Sequence, residues 1–217
     1  MMHISLIGTV HAESGRANLV ELWTILERLQ PDVIFAEIPT ANLADYIDGS
    51  HGNLESAAVA LYRKLHPVNV VPVDLKKPGD EFFRKSKEMF NKVEWTSSEY
   101  RHLIDQHGLD TRDHGFPYLN SDRCANAWAA IYDEVRATIE WIGDARLRQI
   151  YALWSETNDR RETGMLENIN GYCIRSALSN GVFLLGAKHR KAMVEKVHEQ
   201  RDVGAPGVSW KLESSLD

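Results

Sequence analysis

The stretch "ISLIGTVHAES" (residues 4–14) is an apolar, β-rich run that stops at Gly8 and is followed three residues later by His11. The same design returns in "VFLLGAKHRKA" (182–192), with Gly186 and His189. A strand that ends in glycine feeds a tight turn or lets another group approach its backbone closely. The segments between these two copies set the fold. "GRANLVELWTILERLQ" (15–30) places Leu19, Leu22, Trp23, Leu26 and Leu29 at helical spacing, and "PDVIFAEIP" (31–39) reads as a second strand. "NLESAAVALYRKLHP" (53–67) reads as a helix closed by Pro67, and "VNVVPVDL" (68–75) as a third strand. Pro72 places that strand at an edge or a bulge. Strand alternating with helix implies right-handed crossovers and an α/β fold with a mainly parallel sheet of four or five strands flanked by helices.

Residues 79–158 break the rhythm. They carry helical patterns ("RCANAWAAIYDEVRATIEWIG", "ARLRQIYALWSET") around a polar Gly/Pro-bearing stretch, "HGLDTRDHGFPYLNS" (107–121), expected to be a loop. This segment reads as a helical insertion capping the carboxyl edge of the sheet, with the loop near the mouth. "RRETGMLENINGYCIRSALSNG" (160–181) resumes as a helix ended by Gly181, with Met165, Ile169, Tyr172 and Ile174 as apolar contacts. "VFLLG" (182–186) is strand four, a helix follows over about 189–200, and "VSWKL" (208–212) is a short edge strand. The whole chain, 1–217, reads as a single domain.

Composition narrows the partners. The 217 residues are 43% hydrophobic and 26% charged, as in an ordinary globular protein. With 31 acidic and 25 basic residues the net charge is −6, which speaks against a nucleic-acid or anionic-membrane surface. Cys124 and Cys173 provide neither a disulfide framework nor metal-type spacing, so a reducing cytoplasm is the expected compartment. No signal-peptide pattern and no apolar stretch long enough to span a bilayer is seen. Nothing here opposes a homo-oligomer.

In an open parallel sheet, ligands bind outside the carboxyl ends of the strands. Strand one delivers Gly8, Thr9, His11, Glu13 and Ser14 there; strand two Glu37; strand three Asp74; strand four Gly186, Lys188 and His189. A carboxylate ending the apolar run "VIFAEIP" needs a partner to offset desolvation. Arg161, Met165, Asn168 and Ile169 fall on one helical stripe, which turns Arg161 inward toward an anion such as Glu37 or a substrate oxyanion. His107 and His114 are outlying candidates.

"GTVH" (8–11), "PDVIFAEI" (31–38), "RRETGMLENI" (160–169) and "GAKH" (186–189) together resemble the TraB/PrgY–Tiki superfamily, which includes the erythromycin esterase-like and ChaN-like proteins. The resemblance rests on two GxxH motifs, a glutamate ending the second strand and a helix arginine, whose slot falls on Arg161. It covers about the first seventy-five residues and about the last sixty. The helix departs from the ERN form, with Arg160 and Glu162 in place of its glutamate and asparagine. It looks closer to the RDxxMAEN form of the esterase branch, whereas "GTVH" looks closer to the TraB–Tiki branch. Tiki-like members imply a metal-dependent protease, esterase-like members a metal-independent hydrolase with a histidine base, and ChaN-like members haem binding.

The leading expectation is a metal-dependent hydrolase acting on a peptide or small acyl substrate. His11, Glu37 and His189 would hold one divalent ion (zinc, manganese or cobalt) with a position open for water. Arg161 would stabilise the oxyanion, and Glu13 or Asp74 would act as general base or hold a ligand in place. The first alternative is metal-free: His11 as base oriented by Glu37, with Arg161 and His189 polarising the carbonyl. The second is a non-enzymatic haem or small-ligand module.

Overall fold

The computed structural model describes residues 2–202 and 208–212. Five strands form one sheet: β1 (Met2–Thr9), β2 (Val33–Ala36), β3 (Asn69–Pro72), β4 (Asn180–Gly186) and β5 (Val208–Lys211). Their order is β3-β2-β4-β1-β5 and every neighbouring pair is parallel. The first four therefore end on the same edge, with Thr9 paired to Gly186 and Ala36 to both Leu184 and Pro72. Pro72 closes an edge strand, where its missing N–H costs no ladder bond. "VSWK" supplies the opposite edge, as its sequence suggests.

Successive residues of each strand alternate between two cores. Ile7, Ile34, Ala36, Val182 and Leu184 face helices α1 (Leu19–Leu29) and α3 (Leu54–Arg63), meeting Leu22, Leu26, Val59 and Tyr62. Ile4, Leu6, Val33, Phe35, Phe183 and Leu185 face the other way. They meet Met165, Leu166 and Ile169 of α7 (Ala145–Arg175) and Met193 and Val197 of α8 (Ala187–Asp202). Each fully buried Leu, Ile or Phe contributes about 1.5–3 kcal/mol to holding the layers together. Ile174, expected inward, is 75% exposed, because it falls off the stripe of Met165, Ile169 and Cys173. A short helix, α2 (Leu43–Asp48), lies between β2 and α3.

The insertion consists of α4 (Asp80–Thr96), α5 (Ser98–Leu119), α6 (Asp122–Ile142) and the first half of α7. Ser97, Ser121 and Asp144 cap α5, α6 and α7 through their side-chain oxygens. Met89, Val93, Val135, Ile139, Leu147 and Ile150 form a small core of their own. Two expectations are corrected. Residues 107–119 are helical, not a loop: the break is confined to Gly115 (φ 57, ψ −138), and Pro117 sits in the first turn of the restart, where no N–H is needed. The patterns at 145–157 and 160–181 are one continuous helix that ends at Arg175, and Gly181 is already inside β4.

Candidate functional site

The strand parity that sorts the cores also sorts the polar residues at the carboxyl edge. Thr9 shares the side of Ile7, facing α3, and its hydroxyl donates to Glu55 Oε1 at 2.8 Å. The Leu54 N–H donates to the His11 carbonyl, docking the start of α3 on the first GxxH loop. This brings Glu55 Oε1 to 3.2 Å from His11 Nδ1. Glu55 is 5% exposed, whereas the His11 side chain is 61% exposed. The Glu55 hydrogen bond raises the His11 pKa above its ordinary 6.5, against the opposing effects of burial and Lys188.

On the opposite side of the sheet the second GxxH histidine has the same kind of partner. His189, 2% exposed, places Nδ1 at 2.8 Å from Glu162 Oε1 of α7. Its Nε2 lies 3.5 Å from Glu37 Oε1, close enough to feel the charge, but has no hydrogen-bond partner. Each histidine is thus held by a helix glutamate from the layer that covers its side of the sheet.

Glu37, one residue past β2, turns to the α7 side. Arg161 Nη2 donates to Glu37 Oε1 at 2.8 Å, and the Gly186 N–H donates to Oε2 at 2.8 Å. Arg161 also grips Asp74 with a two-pronged bond, Nε to Oδ1 at 3.1 Å and Nη2 to Oδ2 at 2.8 Å. Burial pushes the Glu37 pKa up, but His189, Arg161 and the Gly186 amide outweigh it, and the net shift is down. Gly186 is a close-approach glycine, since a Cβ there would stand 3.3 Å from Glu37 Oε2.

Gly8 is one as well, and the insertion is what approaches it. Asn120, at the α5–α6 turn, accepts from the Gly8 N–H (2.7 Å) and donates to the Gly8 carbonyl (3.1 Å). A Cβ on Gly8 would stand 2.9 Å from the Leu119 carbonyl. The insertion therefore seats directly on the first GxxH motif.

Between α6, α7 and α8 a cleft of about 380 Å³ opens beside His189. Lys188 and Glu162 also line it, as do Trp128, Tyr132, Tyr151 and Trp154. Lys188 is exposed to solvent, yet the protein crowding its ammonium lowers its pKa, against the pull of Glu37.

Glu37, Asp74, Arg161 and His189 meet in one cluster, whereas His11 contacts Glu55 at the same edge and reaches Glu37 only through its field. Glu13 is exposed and accepts from the Leu19 N–H at the start of α1. His107 bonds the Tyr118 hydroxyl, and His114 is exposed. Among the described residues no three His, Cys, Asp or Glu side chains are grouped to hold one ion. Both oxygens of Glu37 are already taken by protein donors and His11 is turned to Glu55, so His11, Glu37 and His189 do not fit a three-ligand metal as arranged. No helix among the described residues is long and apolar enough to cross a membrane.

The two glutamates that bond the histidines escaped the reading of the sequence, although a signal for them was there. Glu55, Ala58, Val59 and Tyr62 are all buried, at i, i+3, i+4 and i+7, and so are Glu162, Met165, Leu166 and Ile169. A glutamate heading an apolar helical stripe points into the protein and needs a partner. No protein-family model, curated protein or solved structure matches the chain.

Proposed function

We propose that this protein is a metal-independent hydrolase of small carboxylic esters or amides, with His11 as its general base. The observation that carries the reading is the pair of histidine–glutamate contacts, His11–Glu55 and His189–Glu162, at one edge of a parallel sheet. A histidine oriented by a carboxylate through one nitrogen is equipped to take a proton on the other. His11 is the exposed member, free to meet water, and Glu55 steadies the imidazolium that forms. His11 removes the proton from water as its oxygen attacks the acyl carbon, then returns that proton to the departing alcohol or amine. Lys188 and His189, on the first turn of α8, polarise the carbonyl. Arg161 is not free for the oxyanion, because Glu37 and Asp74 occupy it, and its role is to fix those carboxylates.

The test is a panel of ester and amide substrates assayed with and without chelator. General-base catalysis contributes about 10²–10⁴-fold, so His11→Ala should lower kcat by at least about 100-fold with an unchanged circular dichroism spectrum. Glu55→Gln should lower kcat less and shift the rising limb of the pH–rate profile to lower pH. Activity that a chelator abolishes and zinc, manganese or cobalt restores would overturn this reading in favour of a metal-dependent hydrolase.

A further inference from the structure

The cleft beside His189 has two unlike ends. One wall is a continuous run of rings from two helices: Trp128–Tyr132 at 5.5 Å between centroids, Tyr132–Trp154 at 5.2 Å, and Tyr151–Trp154 at 5.9 Å. All four rings are only partly buried and line the cleft, so their remaining surface faces it. Half-buried aromatic walls favour flat apolar groups, which stack at similar distances.

The charges are ordered too. Of the acids lining the cleft, Asp133 is paired with Arg136 and Asp159 with Lys196, while Glu162 is bonded to the His189 ring, which carries charge only when protonated. Lys188, Lys191 and Glu195 have no ion pair among the described residues. All three stand on α8, where a residue advances about 1.5 Å, so Lys191 is about 4.5 Å and Glu195 about 10 Å beyond Lys188 along the axis. The lysines without an ion pair stand toward the His189 end, where Glu37 and Glu162 act on Lys188 from a distance and the first-turn N–H groups of α8 also lie. His189 lines the same end, with its buried Nε2 turned to within 3.5 Å of Glu37 Oε1 and without a hydrogen-bond partner.

We infer that this cleft binds the acyl half of the substrate and that this half is aromatic. The ring lies against Trp128, Tyr132, Tyr151 and Trp154, and the carboxyl carbon sits by Lys188 and His189. The inference rests on the hydrolase reading for the reaction, but not for the binding. Hydrolysis adds water across the acyl C–O or C–N bond and yields an arylalkanoate, a proton and an alcohol or amine. The arylalkanoate product matches the cleft at both ends.

Phenylacetate is the direct probe, titrated calorimetrically into the full-length protein beside acetate, which lacks the ring, and phenylacetamide, which lacks the charge. Phenylacetate should bind at least about tenfold more tightly than either. Trp154→Ala should weaken it about tenfold. Trp154 also packs on Phe90, so Lys188→Gln, at an exposed position, is the second variant, and it should cost phenylacetate more than phenylacetamide. Phenylacetate binding no better than acetate, or unchanged in both variants, would overturn the assignment. If phenylacetate binds as expected and no phenylacetyl ester is turned over, the cleft stands and the hydrolase reading fails. If acetyl esters are hydrolysed while phenylacetate does not bind, the reverse holds.

Discussion

Removing Arg161 should cost the fold heavily, because its side chain bonds two buried carboxylates. Its guanidinium joins three elements: α7, which carries it, the end of β2 through Glu37, and the segment after β3 through Asp74. The side chains of Glu37 and Asp74 are 11% and 6% exposed, so Arg161→Met strands two carboxylates away from water. Breaking a buried pair in this way costs about 3–5 kcal/mol, because the surviving charge keeps its desolvation penalty. For a protein of this size that corresponds to a fall in melting temperature of about 6–20 °C. Lysine keeps the charge but not the planar fork, so Arg161→Lys should recover less than about half of the loss. The pH dependence supplies an internal check. The Glu37 pKa lies below its ordinary 4.5 in the folded protein, so its stabilisation is fully present above that value and is lost as pH falls through the lowered one. Without Arg161 the Glu37 pKa rises, so the gap between the wild type and Arg161→Met should narrow as pH falls through the variant's value toward the lowered one of the wild type. Urea unfolding at pH 7 and at pH 4 measures both quantities. A loss under about 1 kcal/mol at pH 7, as for a surface pair, or a gap that ignores pH would refute the argument.

Gly8→Ala should destabilise the protein by about 1–3 kcal/mol, the usual cost of overpacking, because its new Cβ meets the Leu119 carbonyl at 2.9 Å; equal unfolding free energies would show that the α5–α6 turn gives way freely. The imidazole of His11, followed by NMR titration, should show a pKa above 6.5 that falls in Glu55→Gln. Because the folded pKa is the raised one, the pair's contribution to stability is complete below 6.5 and is lost as pH rises through the folded value. A titration unmoved by Glu55→Gln would mean that the contact is not made in solution.

The parallel sheet was legible because each apolar run is short, glycine- or proline-bounded and separated by a helical period, and only one handed topology joins such units. The helix pattern also delivered Arg161 to Glu37. What failed was punctuation. Gly108 and Gly115 in "HGLDTRDHGFPYL" suggested a loop, but a lone glycine costs a helix only about 1 kcal/mol, and packing outweighs it. The break fell only at Gly115, where a Cβ would stand 2.7 Å from the Arg16 backbone. The junction at 158–160 looked like a boundary because it is polar, yet polar residues there merely mark where α7 leaves the insertion core before reaching the sheet. Glu55 and Glu162 were hidden for a different reason. An acid early in a helix suits the helix dipole, and that local account left no cause to ask what each faced across the fold. Asn120 carried no local signal at all, since its role exists only through the 112-residue separation from Gly8.

The continuity of α7 changes how the site can work. Its 31 residues extend about 46 Å. Leu147 and Ile150 anchor one end in the insertion core, and Met165, Leu166 and Ile169 anchor the other against the sheet. Tyr151 and Trp154 of the cleft wall therefore ride on the same rod as Arg161 and Glu162, with Trp154 about 10 Å from Arg161 along the axis. A ligand that displaced the aromatic wall would have to bend this helix or shift both carboxylate partners of its lower half. Asn120 ties a second point of the insertion to Gly8, three residues from His11. The insertion is thus fastened to both GxxH units, to the first through Asn120 and to the second through α7, whose sheet-packed half carries Glu162. This is the arrangement of a fixed wall rather than a swinging lid, and under the hydrolase reading proposed above it would place selectivity in the shape and charge of the cleft instead of in its closure.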